Sequence, residues 1–479
     1  MSPETITIAL VALGILLIFI LAEQPIWIGL AASGALGLVL LNGIDVASNT
    51  IGLAPFTSTA VYTLVIIPLF VAMGVFAARA GIADDIFIIA ERVSRRIPGN
   101  LGVATILACG GFAAVTGSSV ATAATFGRVA VSRMAARGYR PDAAAALVAM
   151  GGTLGVLIPP SVVLVVYASL TGSSIGKLLL AAVLPGLTTM AVYIIFVIVL
   201  YKRGFFDPQR LSKKVAAAER RAVAVGATVG AGGTGVTTAT LDAPLRNAVR
   251  PEKPVVTRKN IVGAFYVALL FAIVIGGMYL GWFTATEAGA IAAFVALIIV
   301  VVRLSRGGFK ATLVGLKDSI IESASLGTMI FALLAGGGIF SFFLLKTGIP
   351  SVLARQVVDW GLPAWAIVVI ALIVMVILGM FLDGFSIMII VIPLLWPVLD
   401  AVGVDAIWFG ILTVKAVEIG LVTPPFGLNV YVVSSAAPGV KPEKVFAAVM
   451  PFVLAEFVVI ALLMLFPQIV SFLPSLAAI

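Results

Sequence analysis

Long apolar runs separated by short polar or basic stretches set the polarity pattern of this chain. Residues 5–22, 26–41, 61–79, 182–200, 261–280, 288–302 and 445–466 are near-continuously apolar, and they approach the ~20 residues that carry an α-helix across a bilayer. They predict spanning helices. Between 81 and 100 the pattern changes, with Asp84, Asp85, Glu91 and three arginines set among Ile82, Ile86, Phe87, Ile88 and Ile89. That mixture suits a helix lying at a membrane interface. Arg355, Asp359 and Trp360 mark a comparable stretch later in the chain. Gly138-Tyr139-Arg140-Pro141 reads as a turn.

Polar and helix-breaking residues interrupt the apolar pattern at four places. Gly-Gly-Phe-Ala-Ala-Val-Thr-Gly-Ser-Ser at 110–119 is followed by Gly-Val-Leu-Ile-Pro-Pro-Ser at 155–161. In the second half, Gly-Met-Phe-Leu-Asp-Gly-Phe-Ser at 379–386 is followed by Glu-Ile-Gly-Leu-Val-Thr-Pro-Pro-Phe-Gly at 418–427. Gly384 lies 267 positions after Gly117, and Pro424 lies 265 after Pro159. A repeat of that kind is a fold-level signal. Each half is expected to run three spanning helices, an interfacial helix, a broken hairpin, a Pro-Pro-broken helix and a final helix. The fold class is therefore all-α and polytopic, with two inverted repeats at 1–201 and 261–479. Their re-entrant hairpins fall at about 101–136 and 363–402. The segment 202–260 is expected to be a cytoplasmic linker, partly disordered, because 213–256 is dense in Gly, Ala, Thr and Val.

The breaks carry the chemistry. Hydrocarbon cannot satisfy an unpaired backbone group, so irregular backbone at that depth must line a protein-walled cavity. Gly117, Ser118 and Ser119 on one side and Asp383, Gly384 and Ser386 on the other supply hydroxyls, a carboxylate and flexible backbone. Proline lacks the N–H and ends a helix, so Pro159-Pro160 and Pro424-Pro425 leave free carbonyls upstream. With the hydroxyls of Ser161 and Thr423, these are hard oxygen ligands for a small cation. Helix N-termini that restart beyond each break favour an anion. One such break is more often a packing site or a kink, but four in matched order suit a secondary transporter. Asp383 and Glu418 are intramembrane carboxylates, which default to function. Lys415, at i,i+3 from Glu418, leaves two readings for that residue, a structural ion pair or a coupling role.

Composition narrows the function further. Apolar residues make up 62% of the chain and charged residues 11%, against roughly 25% charged in soluble domains. The formal charge of +9 reports topology and not nucleic acid, because 26 of the 30 Lys and Arg fall in five clusters. Threading the chain through a bilayer puts all five on one face, provided that both hairpins turn back without crossing. Basic loops stay cytoplasmic, so both termini are expected to be periplasmic. With no His and with Cys109 alone, the commonest general base, the commonest metal ligand and any intrachain disulfide are missing. An enzyme or a cofactor site is therefore not expected, and a channel suits the paired breaks less well than alternating access.

At these residues the sequence resembles the large membrane subunit of the tripartite ATP-independent periplasmic (TRAP) transporters. Thr-Gly-Ser-Ser (116–119), Arg-Gly-Tyr (137–139), Ile-Pro-Pro-Ser (158–161) and Leu-Pro-Gly-Leu (184–187) carry the likeness in the first half. Phe-Thr-Ala-Thr-Glu-Ala (283–288), Gly-Met-Phe-Leu-Asp (379–383) and the run 418–429 carry it in the second. The resemblance implies an elevator-type permease of the bacterial inner membrane, driven by a sodium gradient. A periplasmic binding protein would deliver an organic anion, and a separate four-helix membrane subunit would complete the assembly. It also implies a first sodium site at Gly117, Ser118 and Ser119 with backbone near Gly155 and Pro159. A second would use Asp383, Gly384 and Thr423 with backbone near Pro424. Substrate would lie between the hairpin tips and the Pro-Pro breaks, among Thr116, Pro160, Ser161, Ser386, Pro425 and Asn429. Sodium is the only metal implied. The alternative is a stand-alone ion-coupled anion symporter of related fold.

Overall fold

The structure, a computed structural model, describes residues 2–207, 255–437 and 439–477. Secondary structure among the described residues is helical throughout. The first half holds α1 (Pro3–Leu21), α2 (Ile26–Asn42), α3 (Ile44–Thr59), α4 (Ile66–Arg79) and α5 (Ile82–Ser94). These are followed by α6 (Asn100–Thr116), α7 (Ser119–Ala136), α8 (Pro141–Leu157), α9 (Val162–Thr171) and α10 (Ile175–Lys202). The second half holds α11 (Arg258–Phe271), which runs on through a π turn, then α12 (Ala285–Leu304), α13 (Phe309–Thr347) and α14 (Ile349–Asp359). It ends with α15 (Ala364–Gly379), α16 (Gly384–Ala401), α17 (Ala406–Gly420), α18 (Leu428–Ala436), α19 (Pro442–Leu465) and α20 (Gln468–Leu476). Eight helices among the described residues are long and apolar enough to cross a membrane; α8 and α9, bent by 44° at the Pro-Pro break, make a ninth when taken as one span. The chain is a multi-pass helical membrane protein.

Two features depart from the sequence-based expectation. Helix α3 is an additional one: four helices precede the amphipathic α5 where three were expected. Asp45, Ser48, Asn49 and Thr50 interrupt its apolarity, so no apolar run announces it, and it packs along α13. Helix α13 itself is 39 residues long, or roughly 58 Å at 1.5 Å per residue, well beyond the ~30 Å of hydrocarbon. It packs against α2, α4 and α16 as well. A Cβ on Gly34 would lie 2.8 Å from the Phe340 backbone, and one on Gly336 would lie 2.3 Å from the Trp27 carbonyl. Small residues therefore set the α2–α13 distance. The expected linker at 213–256 lies almost wholly outside the described residues.

Helix α6 folds back on α7 as a hairpin, with Phe112 against Phe126 at 5.6 Å between ring centroids and Thr105 Oγ1 donating to Met134 Sδ at 3.5 Å. Just ahead of it, α5 is amphipathic as expected, and charge ties it to its neighbours on two sides. Toward the hairpin, Glu91 pairs with Arg137. Toward the second half, Asp85 meets Arg303 at 2.8 Å and accepts from Asn260 Nδ2 at 2.8 Å. Asn260 also accepts from the Thr257 N–H, capping α11. Sequence reasoning placed Asp85 at an interface and missed the Arg303 and Asn260 partners, which are more than 170 residues away.

The Asp85–Arg303 pair is buried, whereas Arg79–Glu322 at 2.9 Å is half exposed. Removing one partner of a buried pair leaves an uncompensated charge. Arg303→Ala is expected to destabilise the detergent-solubilised protein by about 3 kcal/mol, while Arg79→Ala changes stability by less than about 1 kcal/mol. Thermal unfolding of the two variants side by side checks the difference.

Candidate functional site

The first pair of breaks is a nested backbone contact. Helix α6 ends at Gly117 in the left-handed region (φ 60°), and α7 restarts at once with Ser118 as its N-cap, whose Oγ accepts from the Ala121 N–H at 3.3 Å. Thr122 Oγ1 donates to the Ser118 carbonyl at 2.8 Å and lies 3.3 Å from Thr116 Oγ1. The tip sits against the break between α8 and α9. A Cβ on Gly117 would fall 2.3 Å from the Pro160 carbonyl oxygen, and one on Gly155 would fall 2.4 Å from the Ser118 carbonyl oxygen. Ser161 caps α9, its Oγ accepting from the Leu164 N–H at 3.3 Å. Thr116, Gly117, Ser119, Gly155, Pro159, Pro160 and Ser161 are buried. Sequence reasoning singled out all of them and missed Thr122, which a search one turn beyond the Gly-Ser-Ser break would have found.

The second pair is built alike and is more open. Asp383 caps α16, its Oδ1 accepting from the Phe385 N–H at 2.9 Å and the Ser386 N–H at 3.2 Å, while the buried Ser386 hydroxyl donates to Oδ2. The N-caps Ser118 and Asp383 stand 265 positions apart, the same spacing as Pro159 and Pro424. That common spacing replaces the 267 read from the two glycines and puts both pairs of breaks in one register. Gly155 and Gly420 correspond in it, and a Cβ on Gly420 would lie 2.4 Å from the Gly379 backbone. Thr423 Oγ1 donates to the Ile419 carbonyl at 2.6 Å, and the Asn429 N–H donates to the Leu421 carbonyl at 3.0 Å. Asp383 and Thr423 thus bond within their own segments. Pro424 and Pro425 are exposed, and Phe426 meets Phe381 of the hairpin tip at 5.7 Å between ring centroids.

The two pairs interlock crosswise. Helix α18 packs on α7, where a Cβ on Gly127 would lie 3.0 Å from Ala436 Cβ and 3.4 Å from Val433 Cα. Helix α16 packs on α9, with Val163 Cγ2 3.8 Å from the corresponding position on Gly384. The restarting helix of each Pro-Pro break therefore leans on the hairpin of the other half. At this junction Asn429 is fully buried, and neither Oδ1 nor Nδ2 of its amide has a partner. Orphaned buried polar atoms are rare, and this pair lies one turn past a Pro-Pro break.

Lys415 and Glu418 bond at 2.8 Å, both fully buried. Lys415 also meets Glu456 of α19 at 2.5 Å. Sequence reasoning passed over Glu456, although a single acid inside an otherwise apolar span is itself a signal.

Continuous helices that break in matched pairs, with hydroxyls, a carboxylate and an unpartnered amide at the breaks, define a multi-pass transport protein. The profile of the tripartite ATP-independent periplasmic transporter, DctM component, matches residues 13–469. The chain belongs to that family, whose members are transporter permease components. It is 33% identical to the C4-dicarboxylate TRAP transporter large permease protein of Pseudomonas aeruginosa, covering 94% of this chain and 92% of that one. It is 28% identical to the sialic acid TRAP transporter large permease protein of Vibrio cholerae over 87% of each. The crystal structure of the YdaH transporter of Alcanivorax borkumensis superimposes with a TM-score of 0.56 over 89% of each chain, at 11% identity, a likeness of fold alone.

Gly117 and Gly172 both have positive φ, but nothing lies within 4 Å of a Cβ added at Gly172. Gly117→Ala is therefore expected to cost about 2 kcal/mol more than Gly172→Ala through the clash with Pro160. Gly155→Ala, in an ordinary helical conformation, isolates the clash with Ser118. Thermal unfolding of the three variants measures each contribution.

Proposed function

We propose that this chain is the large permease subunit of a sodium-coupled TRAP importer of an organic anion, most directly a carboxylate. The observation that carries the substrate half of this reading is Asn429, whose buried amide is without a partner beside the second Pro-Pro break. An amide N–H suits a carboxylate oxygen, and two further helix N-termini, capped at Ser118 and Ser161, restart at the first pair of breaks. The sodium half rests on clustered oxygens. Ser118, Ser119 and the carbonyls around Gly155, Pro159 and Pro160 meet at one tip; on this reading Asp383, Gly384, Thr423 and the carbonyl ahead of Pro424 turn from bonds within their own segments to the cation at the other. On this reading Thr116, Pro160, Ser161, Ser386 and Pro425 face the substrate together with Asn429. The P. aeruginosa and V. cholerae relatives are named for C4-dicarboxylates and sialic acid, both carboxylates.

The crosswise packing of the two halves, with N-caps and prolines in a common spacing, supports inverted repeats that move as one transport unit against α2, α3, α4, α12 and α13. An elevator of that kind sits in the bacterial inner membrane with both termini periplasmic, as the clustered basic residues require. It works with a periplasmic binding protein and a separate small membrane subunit.

Purification in mild detergent from the native host, with mass spectrometry of the co-purifying proteins, identifies the partners. Uptake of a labelled C4-dicarboxylate and of sialic acid is then measured in proteoliposomes with them present. Uptake should require inward sodium and the binding protein. Asp383→Asn should raise the sodium half-saturation through the loss of a negative charge beside the cation, and Asn429→Ala should raise that for substrate through the loss of a hydrogen bond to a charged group, each by about tenfold or more. Full uptake without sodium rejects the coupling, and full uptake without the binding protein favours a stand-alone symporter.

A further inference from the structure

The most deeply buried charges in the described residues lie on the helices that lead into and pack beside the second Pro-Pro break. Lys415 and Glu418 sit on α17, and Glu456 reaches them from α19; all three side chains are fully buried. Lys415 Nζ is 2.8 Å from Glu418 Oε2 and 2.5 Å from Glu456 Oε2. The cluster continues into the first half of the chain. Thr153 Oγ1, on α8, lies 3.3 Å from Glu456 Oε1 and 2.9 Å from the Tyr193 hydroxyl on α10. The Tyr193 ring in turn stands 5.9 Å from Lys415 Nζ, within cation–π range. One buried network centred on Lys415 thus joins four helices, two from each half.

The position of the cluster is as informative as its burial. Glu418 lies 265 positions after Thr153, the spacing that separates Pro159 from Pro424, so each residue stands six positions before the first proline of its break. Helices α8 and α17 are the arms that lead into the two Pro-Pro breaks, and the cluster is where they are tied. A buried ion pair is a poor source of stability but a specific one, because its geometry permits few alternative registers.

We propose that Lys415, through Glu418, Glu456 and Thr153, is a positioning residue that fixes the register of the two Pro-Pro arms. Occupation of one ion site is thereby felt at the other. The inference rests on the ion-coupled transport reading, since it concerns how two coupling sites communicate. The bistable element is the pair of arms, and the cluster is what they share.

The test compares wild type, Glu456→Gln and the neutral set K415M/E418Q/E456Q in proteoliposomes with the partner proteins, titrating the driving cation. The neutral set removes every buried charge of the cluster, and replacements of that kind are often tolerated by a fold. The expected result is a monodisperse protein with a thermal midpoint near that of wild type. Its half-saturation for sodium is raised about tenfold with the cooperativity lost, and its substrate half-saturation at saturating sodium is unchanged. A sodium titration like that of wild type overturns the proposal. If the neutral set fails to fold, Glu456→Gln decides by the same readout, because it keeps the Lys415–Glu418 pair and neutralises the link that runs from Lys415 through α19 to Thr153 on α8. Failure of both to fold also overturns it, since the cluster is then part of the scaffold. If the wild-type chain responds to protons and not to sodium, the sodium reading fails by itself and the variants are compared on the proton titration.

Discussion

No water is available in a bilayer core to satisfy a backbone N–H or C=O, and the four helix breaks are arranged around that limit. Each break is closed by groups that stand in for water. Ser118, Asp383 and Ser161 cap the helices that restart, and the Asn429 N–H reaches back to the Leu421 carbonyl. Glycines at 117, 155 and 420 let one backbone approach another where a side chain would clash. The same devices that make a break tolerable also concentrate oxygens at one place.

Interlocking stems from the same limit. A hairpin tip exposed to hydrocarbon would be costly, so each tip is covered by its own Pro-Pro break, and its hairpin is also packed by the restarting helix of the other half. Gly127 against Val433 and Ala436, and Gly384 against Val163, are the contacts that do this. The halves therefore cannot be separated without exposing irregular backbone.

Much of this was legible in the sequence because helix breakers and apolar runs are local signals. The spans, the turn at Gly138, both hairpins and both Pro-Pro breaks can be read from residues a few positions apart. The polar helix α3 was not legible, since Asp45, Ser48, Asn49 and Thr50 resemble a loop until α13 is known to pack on them. Nor were pairings made across the fold. Asp85 with Arg303, and Glu456 with Lys415, depend on helices that the sequence does not place side by side. Spacing by glycine also misled slightly, because a turn can hold its glycine on either side of the cap; the caps Ser118 and Asp383 give the true register.

In that register the polar equipment is unevenly divided. Asp383 corresponds to Ser118, Glu418 to Thr153, Lys415 to Met150 and Asn429 to Leu164. At these positions the first half offers hydroxyls and carbonyls, while the second holds every charge and the unpartnered amide. Burial is divided as well, for Pro159 and Pro160 are enclosed and Pro424, Pro425 and Phe426 are exposed. Matched breaks with one-sided chemistry suit an asymmetric ligand. On the proposed reading, a carboxylate held by the Asn429 amide leaves the rest of its molecule to positions that carry no charge. Discrimination among anions would then depend less on the charged group than on the body of the molecule attached to it. This is a reason for one permease architecture to serve substrates as different as a C4-dicarboxylate and sialic acid.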